Sequence, residues 1–155
     1  MPILDLNEKN LAYHSDRIRA LGPDKARLWG KMTPSLMLCH LRRTIDISLD
    51  KVPGMGKPLV PKGLRWLLRL LFFEWFTTWP KGKIKAPDIV VPTTAGEFDE
   101  EKRLLLAAME EFVREAAANP GRIGVNPGMG PVSLAYWRHV HGVHMNHHYR
   151  QFGLV

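Results

Sequence analysis

Cysteine is nearly absent from this chain, since Cys39 is the only one among 155 residues. An intrachain disulfide is therefore impossible, which favours a reducing compartment, and we expect a cytoplasmic protein. The N-terminal residues show no basic region followed by an apolar run, so no signal peptide is expected. Cys39 itself is expected to be a small buried residue rather than a metal ligand.

A hydrophobic run long enough to cross a bilayer is also missing. The one candidate, Leu64–Trp79, is interrupted by Arg65, Arg69 and Glu74 and is shorter than the roughly 20 apolar residues that a spanning helix needs. We therefore predict no transmembrane segment. The stretch is interpreted as a helix that is buried or that forms a dimer interface, with contact at a membrane surface as the alternative.

Several motifs of common enzyme classes do not occur in the sequence. It contains no G-x-S-x-G, no phosphate-binding glycine loop and no H-E-x-x-H. It also lacks the E-x-x-H pairs of ferritin-like di-iron proteins. Carboxylates cluster at Glu97–Glu101, where a helix start and solvated surface are expected to explain them. The chain therefore offers no recognisable pair of nucleophile and base.

The net charge of +7 raises the question of a nucleic-acid partner. The basic residues are scattered along the chain and form no block of five or six like charges. No nucleic-acid-binding motif accompanies them, so we expect no nucleic-acid partner. We interpret them mainly as solvated surface, with weak attraction to anions or acidic lipid as the lesser alternative.

The length and the periodicity of apolar residues predict one all-α domain that spans residues 1–155. Strands are not expected, because no segment alternates apolar and polar residues over a useful length. Helices are predicted at about Leu4–Leu21, from the Thr33 cap to about Val52, at Gly63–Trp79, from about Phe98 to Asn119, and from the Ser133 cap onward, with a short helical turn at Asp24–Trp29. Long connections rich in proline and glycine are predicted at 53–62, 81–96 and Gly124–Pro131. A four-helix bundle is the economical architecture for this pattern.

The last predicted helix holds five of the seven histidines. His144 and His148 are one turn apart on one face, and two imidazoles at this spacing form half of a site for a divalent ion. His141 lies one turn earlier, so it is expected to be either an additional ligand or a polar group that lines a pocket. His139 and His147 lie off this line and are assigned to solvent or to hydrogen bonds with the ligands.

Two histidines lie outside the last helix. His14 has polar neighbours and is expected at the surface. His40 stands beside the apolar stripe of its helix, so it can meet His144 and His148 if the two helices pack side by side. Three neutral imidazoles with an open fourth position are typical of catalytic metal sites. Gln151 is expected to orient a ligand, to bind substrate or to be a simple surface residue.

Two stretches resemble motifs of the DinB-like superfamily of metal-binding four-helix bundles. Trp29-Gly-Lys-Met-Thr-Pro-Ser-Leu-Met-Leu-Cys-His40-Leu41 is similar to the opening motif of that superfamily. The run from Trp137 through His144-Met-Asn-His-His148 to Gln151-Phe-Gly153 is similar to its closing motif. The closest branch is one whose function is unknown, and the two motifs together cover about thirty residues of this chain.

The resemblance implies a metal site formed by His40, His144 and His148. Relatives include thiol-dependent S-transferases and isomerases that use bacillithiol or mycothiol, and many members have no assigned reaction. Members of this branch often carry His-Pro before the last helix, whereas this chain has Asn126-Pro127. That difference affects any role of the loop histidine and not the three ligands.

Two functional hypotheses follow from the residues and the resemblance. The first is a metal-dependent enzyme, a thiol-dependent S-transferase or a hydrolase that acts on a small electrophilic molecule, with a low-molecular-weight thiol as cosubstrate in the first case. The second is a metal-binding or structural bundle without catalysis that forms a homodimer through Leu64–Trp79. Imidazole suits zinc, nickel and iron alike, so the identity of the ion stays open, and no catalytic residue is assigned.

Overall fold

The computed structural model describes residues 3–52, 60–71 and 90–155. Within these ranges the chain forms five helices and one two-stranded antiparallel sheet. The helices are α1 (Leu11–Ala20), α2 (Pro34–Ser48), α3 (Lys62–Arg69), α4 (Phe98–Ala118) and α5 (Leu134–Gln151), and the strands are β1 (Ile123–Asn126) and β2 (Gly130–Ser133). The predicted mainly helical class is confirmed, whereas the sheet contradicts the expectation that the chain has no strands. Most of the predicted loop 53–62, the second half of the predicted helix Gly63–Trp79 and most of the predicted connection 81–96 lie outside the described residues.

The two helices that carry the candidate ligands begin at the predicted caps. The Thr33 side chain accepts a hydrogen bond from the backbone N–H of Leu36 at 3.2 Å, and Pro34 occupies the first helical position. The Ser133 hydroxyl accepts from the N–H of Tyr136 at 3.3 Å at the start of α5. Each cap satisfies a backbone donor that has no partner within its helix.

The N-terminal helix is shorter than predicted, because it begins at Leu11 rather than near Leu4. The preceding residues pack along α5 instead, where the N–H of Leu6 donates to the carbonyl of Arg138 at 2.9 Å. Gly142 permits this approach, since a Cβ at that position would collide with the carbonyl oxygen of Leu4. A tertiary contact therefore replaces the helical hydrogen bonds that periodicity alone favours.

The helical turn predicted at Asp24–Trp29 is absent, and that segment forms turns and bends. The N–H of Leu28 donates to the carbonyl oxygen of Gln151 at 2.7 Å. A hydrogen bond to the C-terminal end of α5 thus holds this segment in place, rather than the internal hydrogen bonds of a helical turn.

The sheet lies in the predicted loop Gly124–Pro131, where β1 pairs with β2 and Gly124 lies opposite Val132. The Asn126 side chain supports the turn, because its Oδ1 accepts from the N–H groups of Gly128 and Met129 at 2.9 and 3.0 Å. Strands of four residues that contain glycine and proline show no alternation that sequence inspection can detect.

One apolar core joins the helices. Helix α2 packs mainly on α4, α1 also packs on α4, and α5 contacts both α2 and α4. Side chains with almost no exposure fill this core, and they include Met37, Leu38, Leu41, Ile45, Leu105, Met109, Phe112, Tyr149 and Phe152. Burial of each aliphatic side chain contributes about 1.5–3 kcal/mol relative to exposure. The contact between α2 and α5 is the one that positions the site.

In residues 3–52, 60–71 and 90–155, no helix combines the length and the apolar composition that a membrane crossing requires. Helix α3, the described part of the aromatic stretch, spans only eight residues.

Candidate metal centre

Three histidine rings converge where α2 lies beside α5. The Nε2 atom of His40 is 2.9 Å from Nε2 of His144, and Nε2 of His148 is 3.1 Å from the same atom. The three residues are only 2%, 8% and 5% exposed, respectively. The predicted meeting of one histidine from the first third of the chain with the His144–His148 pair is therefore present.

These separations fit a shared cation. Nitrogen ligands at roughly 2.0–2.1 Å from one ion lie about 2.9–3.4 Å apart when the ligand–ion–ligand angles are near 90–110°. Within the described ranges, His40, His144 and His148 form a group of side chains close enough to hold a metal ion, with all ligand atoms within 4.8 Å of one another.

Hydrogen bonds on the far side of two rings determine which nitrogen carries the proton. Nδ1 of His40 lies 2.8 Å from the carbonyl oxygen of Val90, and Nδ1 of His148 lies 2.8 Å from Oε1 of Gln151. Both oxygens can only accept, so each neutral ring carries its hydrogen on Nδ1 and presents the lone pair of Nε2 to the cluster. A carbonyl or carboxylate partner of this kind is typical of histidines that bind metals.

The resulting cluster has more lone pairs than protons. With hydrogen on Nδ1, the Nε2 atoms of His40 and His148 can only accept, and both lie against Nε2 of His144. A proton on that atom can be donated well to only one of them at a time. A divalent cation accepts from all three nitrogens and so removes the conflict, which is the observation that best fits a metal in this place.

Burial keeps these rings in the form that binds metals. Desolvation lowers the pKa of His40, His144 and His148, and the neighbouring histidines lower the pKa of His144 further. A neutral imidazole is the ligand form, so no deprotonation is needed near neutral pH.

His141 does not join the cluster. Its Nε2 lies 3.0 Å from the Ser48 hydroxyl, and its ring stacks on Trp137 with ring centres 5.0 Å apart. The edge of Phe112 closes the other side, with ring centres 4.6 Å apart. Complete burial lowers the pKa of His141 to about 3. The structure thus places this residue in the packed core next to the site.

The expectation that His14 lies at the surface is wrong, because it is 1% exposed. Its Nδ1 lies 3.1 Å from the Tyr149 hydroxyl and its Nε2 lies 3.0 Å from the carbonyl oxygen of Leu4. A signal for this burial exists in the sequence, since His14 falls on the same helical stripe as Leu11, Ile18 and Leu21. Polar immediate neighbours say less about burial than residues three or four positions away.

The two remaining histidines, His139 and His147, are half-buried. Nδ1 of His139 lies 3.0 Å from Oδ1 of Asp5. The ring of His147 has its centre 5.1 Å from that of His148 and 6.0 Å from that of Trp29. His147 therefore sits between a candidate ligand and the loop that precedes α2.

The single cysteine is buried, as predicted. Nη2 of Arg42 lies 3.7 Å from its sulfur, and desolvation raises the pKa of the Cys39 thiol. The same arginine pairs with Glu101, whose Oε2 lies 3.1 Å from Nε of Arg42. Glu101 is buried, which corrects the expectation that the Glu97–Glu101 carboxylates are all solvated. Cys39 is thus a neutral thiol in a structural environment.

One contributor to the site acts through its backbone and could not be predicted from the sequence. The carbonyl of Val90 orients His40, and a backbone group cannot be identified from residue type.

Comparisons with protein-family models, with curated proteins and with solved structures returned no match. On the chemistry of its donors, three imidazoles, the site can hold a first-row divalent ion such as zinc, nickel or iron.

Proposed function

We propose that this chain is a DinB-like four-helix bundle whose three histidines, His40, His144 and His148, hold one catalytic divalent ion. The proposed reaction joins a low-molecular-weight thiol, through its sulfur, to a small electrophilic substrate. A carbon–sulfur bond forms as an epoxide ring opens or a halide leaves, and the thiol proton passes to the opened oxygen or to solvent. The observation that carries the proposal is the convergence of three buried Nε2 atoms on one point.

The number of ligands favours a catalytic role over a structural one. Structural zinc sites are closed by four protein ligands, whereas catalytic sites use three and leave a position for another molecule. Among the histidine, cysteine, aspartate and glutamate side chains of the described ranges, the group contains three members. His141, the expected candidate for a fourth, is turned to Ser48.

The chain's own groups prepare the site rather than attack the substrate. Val90 and Gln151 hold the Nδ1 protons of two ligands, and burial of the rings excludes bulk water from the ligand side. When bound, the ion would supply Lewis acidity, which favours the thiolate form of a thiol or the hydroxide form of water at neutral pH.

The proposal that the attacking sulfur comes from a cosubstrate rests on the state of the internal nucleophiles. Cys39 is 8% exposed and its thiol pKa is raised by burial. Ser48 is fully buried and donates its hydroxyl hydrogen to the carbonyl of Ile45 at 2.7 Å. The raised pKa keeps Cys39 a thiol, and the Ser48 hydroxyl hydrogen is already donated, so a thiol from solution is the simplest source of a nucleophile.

Contact between the two stretches that resemble DinB-like motifs supports the family proposal. The Leu28–Trp29 segment binds the end of α5 through the carbonyl and the side chain of Gln151. Residues far apart in the sequence thus meet beside His148, as they would if both motifs served one site.

Elemental analysis of the protein, purified without a histidine tag, tests the metal. We expect about one divalent ion per chain, loss of this ion in His148→Ala, and its retention in His139→Ala. His139 is the matched control because it lies on the same helix and binds Asp5 rather than the cluster. Equal loss from both variants, or no ion in the unaltered protein, would contradict the proposed site.

Turnover is tested with the metal-loaded protein and a panel of small thiols against an epoxide and an activated aryl halide. The S-transfer proposal expects thiol consumption that requires the ion and disappears in His148→Ala. Turnover without any thiol would identify a hydrolase at the same site. Absence of both activities would contradict the enzymatic proposal and favour the alternative below.

A second candidate function is a non-catalytic metal-binding bundle that forms a homodimer. It is favoured by the exposure of Leu64 and Trp66 in α3 and of Leu70 directly after it, with Trp66 at 64%. Sedimentation equilibrium over a range of concentrations tests it. Trp66→Glu should lower the association constant, whereas Val155→Glu, an exposed apolar residue outside α3, should not.

A further inference from the structure

The side-chain amide of Gln151 touches two parts of the molecule at once. Its Oε1 lies 2.8 Å from Nδ1 of His148, and its Nε2 donates to the carbonyl oxygen of Trp29 at 3.0 Å. The residue is 5% exposed, so water has little access to either contact. A buried amide with both ends engaged is held in one orientation.

The carbonyl of Trp29 determines which end of this amide faces His148. A backbone carbonyl oxygen can only accept, so the NH₂ end of Gln151 must point to Trp29 and the oxygen must point to the histidine. That oxygen in turn requires a hydrogen on Nδ1 of His148. The choice of tautomer at the candidate ligand is thus set by a peptide group more than one hundred residues away, since 122 positions separate Gln151 from Trp29.

The loop before α2, residues 28–30, holds Gln151 in place through both its backbone and its conformation. The N–H of Leu28 donates to the carbonyl oxygen of Gln151 at 2.7 Å, so backbone and side chain of the same glutamine hold neighbouring residues of the loop. Gly30 has φ +79°, and a Cβ there would lie 2.6 Å from Nε2 of Gln151. Glycine is therefore needed both for the backbone conformation and for the space that the amide occupies.

We propose that Gln151 is a positioning residue: its amide, held by the carbonyl of Trp29, locks His148 in the tautomer that presents Nε2 to the metal, which makes the loop before α2 part of the metal centre. The inference deepens the proposed function and depends on it for the metal alone. The lock itself is a property of the metal-free protein.

Nitrogen-15 NMR of histidine rings in the metal-free protein tests directly whether His148 is held in one tautomer. We expect His148 in the unaltered protein to be almost wholly the Nδ1–H tautomer, and Gln151→Leu to shift it toward a mixture of both tautomers. Unaltered protein with a mixed or Nε2–H tautomer at His148 would overturn the proposal, and so would an unchanged tautomer in a folded Gln151→Leu variant. This readout does not require that any metal binds, so its failure is distinguishable from failure of the proposed function.

Metal affinity, measured by competition with a chelator, gives the second readout. Loss of a hydrogen-bond partner of a ligand typically weakens metal binding about 10–100-fold, and we expect a loss of this size in Gln151→Leu. Gly30→Ala retains the glutamine but displaces its amide, so it should also weaken metal binding. This variant tests the positioning role if Gln151→Leu does not fold.

Ser48→Ala is the matched control, because it removes a buried hydrogen bond of His141, another histidine of α5. It should lower stability while leaving the His148 tautomer and the metal affinity within about twofold of the unaltered protein. Equal weakening of metal binding by Ser48→Ala and Gln151→Leu would show a general loss of packing and would overturn the positioning role.

Discussion

The Nδ1 atom of His40 lies 2.8 Å from the carbonyl oxygen of Val90, which is fifty residues further along the chain. This contact places the segment that leads into α4 directly behind a candidate metal ligand of α2. His148 has the equivalent support from Gln151, so both of these rings are held from the side opposite the cluster. Such support lowers the cost of assembling a metal site, because the rings are already oriented before the ion binds.

Metal binding should therefore stabilise the fold. At a free ion concentration of 100 times Kd, binding to the folded state alone adds about 2.7 kcal/mol to the free energy of unfolding. For a chain of this size we expect a rise in Tm of about 5–10 °C, measured by calorimetry with and without a chelator. His144→Ala should abolish the rise and Ser48→Ala should retain it; an equal rise in both variants would place the binding site elsewhere.

Stability of the metal-free protein should fall in acid. The pKa of His141 is about 3 in the folded state and near 6.5 in the unfolded chain, so the unfolded chain binds more protons between these values. Its contribution to stability is complete above about pH 6.5 and is lost as the pH falls toward 3, by at most about 1.4 kcal/mol per pH unit.

Denaturant unfolding between pH 7.5 and pH 4, in the presence of a chelator, checks this expectation. His141→Gln should reduce the dependence of unfolding free energy on pH by about one proton, or 1.4 kcal/mol per pH unit. Other buried histidines should account for the pH dependence of unfolding free energy that remains in the variant. His14 is one of them, since burial lowers its pKa as well. The same slope in the variant and in the unaltered protein would contradict the assignment.

The contact between His14 and Tyr149 should matter for stability and not for metal binding. Tyr149→Phe leaves Nδ1 of a buried histidine without its 3.1 Å partner, which typically costs about 1–3 kcal/mol. Tyr13→Phe is the control, because Tyr13 lies next to His14 and is only half-buried. Chemical denaturation measures the difference in stability between the two variants. A change in metal stoichiometry in Tyr149→Phe would show that the His14–Tyr149 contact is not independent of the metal centre.

The approach of the N-terminal segment to α5 should depend on Gly142. Gly142→Ala places a Cβ against the carbonyl oxygen of Leu4, a backbone atom that cannot move independently, so we expect a loss of about 1–3 kcal/mol. Gly63→Ala meets no atom within 4 Å and lies in a helix, so it should be neutral or stabilising. If the two substitutions had equal effects in denaturant unfolding, the close approach of Leu4 to α5 would not contribute to the stability of the fold.

Much of the helical framework is readable from local sequence. Thr33 with Pro34, and Ser133 before an apolar run, mark helix starts by hydrogen bonds within a few residues. The spacing of His144 and His148 places both on one face whatever surrounds the helix. The position of His40 next to an apolar stripe makes it a candidate that can reach the same point.

Other features depend on contacts that local sequence does not contain. The hairpin at Ile123–Ser133 is stabilised by pairing across a turn and by the Asn126 side chain, and its four-residue strands are too short to show a strand pattern in the sequence. His14 and His141 are both buried, but a ligand and a core histidine are the same residue type, so only their neighbours distinguish them.

By itself, the sequence determined that the chain is mainly helical, that His144 and His148 share one helix face, and that His40 stands beside the apolar stripe of another helix, because capping and the 3.6-residue period act over a few residues. Only the tertiary structure decided which histidines meet, which tautomers they adopt and why the Trp29–Gly30 loop belongs to the site. The physical reason is that these features depend on carbonyl oxygens of Val90 and Trp29, and a backbone carbonyl is the same at every position until the fold brings it to a partner.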